Sequence, residues 1–192
     1  KEKYNLKTDV MRNILHCSSK TKVGNTTLEV DTQRELALFY YLKEKGIETA
    51  VLKHHGHGGK PDSTAWKDSD KHFHAGAAAA LVEGEGFIHL QGRMDEESLL
   101  HKNLALLMVF NPEIIILEGY KKAPYPKIVL IREEEDLSLL EELTNCQAVL
   151  LWPEVNKNHE WIPFDVAVFS LEENMQIFEW LMGKMKLNHE RT

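Results

Sequence analysis

Cysteine is scarce: Cys17 and Cys146 are the only two in 192 residues, and they form no CxxC. A disulfide framework and a cysteine-built zinc fold are both excluded, and two distant reduced thiols fit a cytosolic protein. No apolar run approaches the 18 residues that a membrane-spanning helix needs. The charged opening Lys1–Thr8 leads into no apolar core of a secretory signal. There is no long basic run, and 23 Lys+Arg against 30 Asp+Glu give a net charge of −7. That balance argues against a nucleic-acid or anionic-membrane binder. Internal repeats, low-complexity tracts and a Ser-His-Asp or Cys-His nucleophile spacing are also missing. What remains is an ordinary globular mixture, 43% hydrophobic and 28% charged, in a chain long enough for one domain with its own core. Residues 1–10 read as a disordered extension before Met11, residues 11–186 as the domain, and residues 187–192 as a disordered tail.

From Met11 onward, strand-like and helix-like segments alternate. Strands are expected at 13–17, 47–52, 87–90, 114–117, 128–131 and 148–152. The apolar residues 78–82 precede a Glu83–Gly86 turn, which predicts one antiparallel excursion. Helices are expected at 28–45, 68–77, 96–110 and 134–143. The first carries Leu36, Leu38, Phe39, Tyr40 and Leu42 and stops at Gly46; the third turns Leu99, Leu104, Leu107 and Met108 to the core and stops at Asn111-Pro112. Ser170-Leu-Glu-Glu173 has the form of a capping box opening a last helix to about Lys186. The acidic run Glu133–Asp136 reads as a solvated helix N-terminus. Ile114–Leu117 and Ile128–Ile131 are continuously apolar, as strands buried on both faces of a parallel sheet are. The fold class is therefore α/β, a mainly parallel sheet flanked by helices. Its ligand crevice lies beyond the carboxyl ends of the strands, so the loops after Cys17, Leu52 and Leu117 matter most.

The first of these loops, Ser19-Lys-Thr-Lys-Val-Gly-Asn-Thr-Thr27, occupies the place of a phosphate-binding G-x-x-x-x-G-K-[ST] loop. Ser19 stands at the first glycine, Gly24 at the second, Asn25 at the lysine and Thr26 at the magnesium-binding hydroxyl. Backbone N–H groups from Lys20 through Val23 to Thr27, with the helix N-terminus behind them, can still cradle phosphate oxygens. Lys20 or Lys22 can replace the missing charge; a simple N-capping loop is the competing reading.

The second loop, Lys53-His-His-Gly-His-Gly-Gly59, invites either a metal or a phosphate-facing reading. Zinc needs three or four convergent ligands, and no cysteine lies nearby in sequence. Asp68 either caps the next helix or contacts magnesium through water. Glu118 ends the fully apolar strand, where a magnesium-side acid of a nucleotide site stands, with Gly119 and the basic Lys121-Lys122 beside it. The competing reading is a plain polar strand end. Cys17 reads as a packed thiol, and Phe87-Ile-His-Leu90 as an open sheet edge needing cover.

Three segments taken together, KHHGHGG, KDS…H..AGA and LEGYKKAPYPK, resemble the MobB family, the molybdopterin-guanine dinucleotide biosynthesis adaptor proteins, over about Met11 to Lys184. The resemblance implies a P-loop NTPase-like fold, GTP binding with Mg²⁺, weak GTPase activity, a homodimer, and a role beside the molybdopterin guanylyltransferase and molybdopterin itself. It places Gly24, Thr26 and Thr27 in the phosphate loop and His54, His55, Asp68, Ser69 and Glu118 in the other motifs. It implies Mg²⁺ held by Thr26, Glu118 and Asp68. The family's intact G…GKTT is altered here at Ser19 and Asn25. Two functions stay open: a weak GTPase, and a non-catalytic adaptor with a vestigial phosphate site that binds the guanylyltransferase or the pterin.

Overall fold

The computed structural model describes residues 14–18, 37–54, 69–94, 99–155 and 162–189. Strands β1 (Ile14–Ser18), β2 (Thr49–Lys53), β5 (Ile114–Glu118), β6 (Lys127–Ile131), β7 (Cys146–Leu151) and β8 (Ala167–Ser170) form one sheet in the order β2-β5-β1-β6-β7-β8. Every pairing in it is parallel. Strands β3 (Ala79–Gly84) and β4 (Phe87–Gly92) form a separate antiparallel pair. Their turn is Glu85-Gly86, both at positive φ (51° and 83°), the backbone of a two-residue type I′ hairpin. The expected parallel sheet and its single antiparallel excursion are both present.

The apolar runs explain the layering. Along β5, Ile114 and Ile116 face one side and Ile115 and Leu117 the other, and all four are buried. The first side is covered by α1, of which residues 37–44 are described, and by α5 (Asn174–His189): Leu42 and Leu181 meet Ile114, Ile116, Ile128 and Ala148. The second side is covered by α3 (Leu99–Leu107), whose Leu104 meets Ile115, Leu117, Ala123 and Tyr125. The same side continues beneath α4 (Leu139–Glu142), where Leu139 packs with Val129, Ile131 and Val149. A short helix α2 (Ser69–His74) precedes β3 and buries Phe73, with the Arg93 guanidinium 4.3 Å from its ring centre.

Several boundaries differ from the sequence reading. Tyr40, assigned to the apolar stripe of α1, is 69% exposed; Tyr41 takes the inward position and stacks on Phe178 at 4.6 Å. Leu104 is fully buried, whereas Leu99, Leu107 and Met108 are half-buried, the last two at the margin of the Leu104 cluster. The helix expected at 134–143 is a 3-10 turn, Glu134–Ser138, followed by the single α-turn of α4. Within the turn the Asp136 carboxylate points inward, accepts the Arg132 N–H at 3.1 Å and is buried rather than solvated. Ser170 and Glu173 do make a reach-back bond, Ser170 N–H to Glu173 Oε2, but Ser170 closes β8 and the helix starts at Asn174. Strand β8 itself was not anticipated, since its four half-buried residues are too few to show a period. Helix α5 runs to His189, three residues beyond the expected end.

Between β5 and β6 the chain crosses β1 in only eight residues, 119–126. A parallel crossover normally takes a dozen or more residues. This one is short because its two ends lie at almost the same height: Glu118 pairs with Cys17 and Lys127 with His16. Lys127 fastens the strap. It is fully buried, and its ammonium donates to the carbonyls of Ala123, Tyr125 (3.1 Å) and Thr144 (2.8 Å). Burial holds its pKa below the usual 10.5, while three acceptors match the three donors of the charged form.

Two outcomes follow from this region. Lys127→Met keeps the aliphatic packing but leaves three carbonyls without their donor, so urea denaturation is expected to show a loss of about 2–5 kcal/mol. The neighbouring Cys146 thiol is pushed up to about 11 by burial, against the opposing effects of a backbone hydrogen bond at Ala148 and the Lys127 charge. Below the ordinary thiol value of 9.0 it is protonated in both folded and unfolded chains. Between there and about 11 only the unfolded chain loses the proton, so stability falls as pH rises through that window. Denaturation midpoints at pH 8 and pH 10 are expected to differ less in Cys146→Ala than in the unaltered chain.

Candidate functional site

The polar chemistry gathers where β2 and β5 end, next to the end of β1. Glu118 is the first polar residue after four buried aliphatic ones, because a strand covered on both faces has room for a carboxylate only at its end. In register, Lys53 of β2, Glu118 of β5 and Cys17 of β1 lie side by side. The Lys53 ammonium sits 2.8 Å from Glu118 Oε1, with side-chain exposures of 57% and 28%. The Glu118 carboxylate is therefore partly exposed at the strand end and paired with the more exposed Lys53 ammonium.

Just past the strands the two chains stay locked together. The His54 N–H donates to the Glu118 carbonyl at 2.9 Å. Gly119 follows at φ +83°, and a Cβ there would stand 3.1 Å from the His54 carbonyl oxygen and 3.2 Å from its Cβ. Only glycine permits both the left-handed turn and this approach. The exposed His54 ring lies 5.3 Å from the Tyr120 ring. Burial raises the Tyr120 pKa, and a side-chain hydrogen bond with Asn103 opposes it. Lys121 is half-buried and Lys122 exposed on the strap that crosses β1.

Of the sequence-predicted site residues, the structure brings His54, Glu118 and Gly119 together. Lys20, Lys22, Val23, Gly24, Asn25, Thr26, Thr27, His55 and Asp68 lie outside the described residues. Among the described residues, no group of three His, Cys, Asp or Glu side chains is placed to hold a metal ion. Nor is any described helix long and apolar enough to cross a membrane. In the sequence Lys53 stands only as the first letter of the KHHGHGG motif. The available signal was positional: a lysine closing one strand beside an acid closing its neighbour.

Known proteins bear on this arrangement. Residues 14–152 match the family described as molybdopterin guanine dinucleotide synthesis protein B. A probable molybdopterin-guanine dinucleotide biosynthesis adapter protein of Bacillus subtilis (strain 168) is 36% identical over 144 residues, which cover 74% of this chain and 79% of that one. The crystal structure of a MobB homologue from Bacillus stearothermophilus is similar with a TM-score of 0.65 at 25% identity, covering 91% of this chain and 99% of the other. That of Bacillus subtilis MobB is similar with a TM-score of 0.64 at 26% identity, covering 90% and 97%. The helix-flanked parallel sheet is the P-loop NTPase-like fold of these relatives. With most of its length matched by the family, and with the strand-end acid standing beside β1, this chain belongs to the MobB family of molybdopterin guanine dinucleotide biosynthesis proteins.

Proposed function

We propose that this chain is a guanine-nucleotide-binding accessory protein of molybdopterin guanine dinucleotide synthesis, acting in the cytoplasm beside the guanylyltransferase that attaches GMP to molybdopterin. The observation that carries the reading is Glu118, an acid at the end of a strand buried on both faces, level with the end of β1. The loop that follows β1 has the residue pattern of an altered phosphate loop. A magnesium ion prefers hard oxygen donors and keeps several waters, and a partly exposed carboxylate at a crevice mouth suits it. Glu118 and Thr26 would hold the ion, with Asp68 contacting it through water. The ion would offset charge on the phosphates during slow attack of water on the γ-phosphate. The amides of residues 20–26 would orient the phosphates.

A second reading, a non-catalytic adaptor for the guanylyltransferase or the pterin, is favoured by Asn25 in place of the loop lysine. Assembly belongs to both readings. Phe87, Ile88 and Leu90 of β4 and Leu81 of β3 are exposed at 79%, 51%, 42% and 56%. Phe87 and Ile88 are consecutive, so both faces of the strand present apolar surface. Such a strand is a pairing liability in water, and a homodimer that covers it removes the liability.

Two measurements test these proposals. In calorimetric titrations GTP is expected to bind weakly and with a Mg²⁺ requirement. Loss of the loop lysine would cost about 5- to 150-fold in triphosphate affinity. Glu118→Gln is expected to abolish the Mg²⁺ requirement while altering stability by no more than about 0.5 kcal/mol. Absence of GTP binding with and without Mg²⁺ leaves the adaptor reading. For assembly, light scattering at micromolar concentration is expected to give the mass of a dimer, and Phe87→Asp that of a monomer. A monomeric unaltered chain overturns the dimer.

A further inference from the structure

We propose that the rings of His54 and Tyr120 form a stacking platform for a phosphorylated pterin, whose flat pyrimidinone ring lies on the exposed His54 ring and whose phosphate meets Lys121 and Lys122; this rests on the second reading above, in which the chain binds the pterin.

The platform is fixed first by main chain. His54 and Gly119 follow directly on β2 and β5, and the His54 N–H donates to the Glu118 carbonyl at 2.9 Å. Gly119 comes so close that a Cβ on it would stand 3.2 Å from the His54 Cβ. The segments that carry the two rings are therefore held against each other before either side chain is placed. The ring centres lie 5.3 Å apart, tilted by 47°. Tyr120 is the anchored member: it is half-buried, packs against the cluster of Leu104, Ile115 and Leu117, and shares a side-chain hydrogen bond with Asn103 of α3. His54 is the outer member and is exposed. Alternation along β5 sends Glu118 to the face of Ile114 and Ile116, whereas Tyr120 packs on the face of Ile115 and Leu117. The platform and the Lys53–Glu118 pair thus lie on opposite faces of the sheet and need not share a ligand.

An exposed ring backed by an anchored one suits a flat heterocycle. Stacking of a base on an aromatic side chain is worth about 5- to 150-fold in affinity when the ring is removed. Little ordering cost remains to be met on binding, because the backbone under both rings is already set. The strap then adds an anion site. Lys121 and Lys122 come one and two residues after Tyr120, so the Lys122 Cα lies within about 7 Å of that of Tyr120. Lys121 is half-buried and Lys122 exposed, and each ammonium offers three donors to phosphate oxygens. Two adjacent cations are a local exception in a chain of net charge −7. A pterin monophosphate presents the matching parts, a flat ring and a phosphate a short linker away.

The test titrates the full chain, His54→Ala, His54→Phe and the double variant Lys121→Met with Lys122→Met. The probes are hydroxymethylpterin monophosphate and hydroxymethylpterin without the phosphate, followed by the pterin's own fluorescence, with GTP titrations and melting temperatures alongside. Stacking on the unaltered chain is expected to quench the fluorescence. His54→Ala is expected to weaken both pterins about tenfold or more, and His54→Phe to restore most of that loss. The lysine double variant is expected to weaken the phosphorylated pterin about tenfold and the unphosphorylated one by less than about twofold. A folded His54→Phe chain that binds no better than His54→Ala, a lysine variant that treats the two pterins alike, or a His54→Ala loss as large for GTP as for the pterins would overturn the assignment. If the unaltered chain binds neither pterin, the pterin-binding reading fails and the platform fails with it. If it binds them and His54→Ala binds equally well, the platform alone fails.

Discussion

Burial of β5 and β6 on both faces is the constraint from which the rest of the structure follows. Four aliphatic residues of β5 and four of β6 are sealed between helices. A polar group inside such a layer costs free energy unless fully bonded. Polar chemistry is therefore pushed to the strand ends, which is why Glu118 stands where it does. The same rule accounts for the single charged side chain that is fully buried among the described residues, Lys127, which has an acceptor for each of its protons.

The strap from Gly119 to Pro126 converts that packing into a site. It leaves the acid, passes β1 on the face that packs Leu104 and returns to the sheet within eight residues. So short a crossover has little slack. Its position is set at one end by the close approach of Gly119 to His54 and at the other by the Lys127 ammonium. Tyr125 and Ala123 add apolar contacts against Leu104 and Leu117. The strand ends thereby inherit their position from the core, and there Lys53 meets Glu118.

The loop after β1 carries Asn25 where a phosphate loop of the G-x-x-x-x-G-K-[ST] form has a lysine. At the ends of β2 and β5 the Lys53 ammonium is paired with the Glu118 carboxylate. That pairing links the two functional readings, because a site whose acid is already paired with an internal cation is intermediate between an intact nucleotide site and a vestigial one.

By itself the sequence determined the layer architecture and the location of the crevice. The runs Ile114–Leu117 and Ile128–Ile131 allow only strands buried on both faces, and Gly46, which takes φ +71°, marked a helix end correctly. The three motifs sufficed to indicate the family, because short segments in fixed order carry information independent of contacts. Tertiary structure alone decided what depends on residues distant in the chain. Asp136 reads as one more acid in a solvated run until the Arg132 amide draws it inward. The burial of Lys127 is likewise decided by the fold, in which carbonyls from two separate loops close around its ammonium. Lys53 and Glu118 are 65 positions apart in the sequence and become neighbours only through the register of β2 against β5. Periodicity reports which face of an element is apolar; it carries no record of which strand lies next to which, and that adjacency is what brings a cation to an acid.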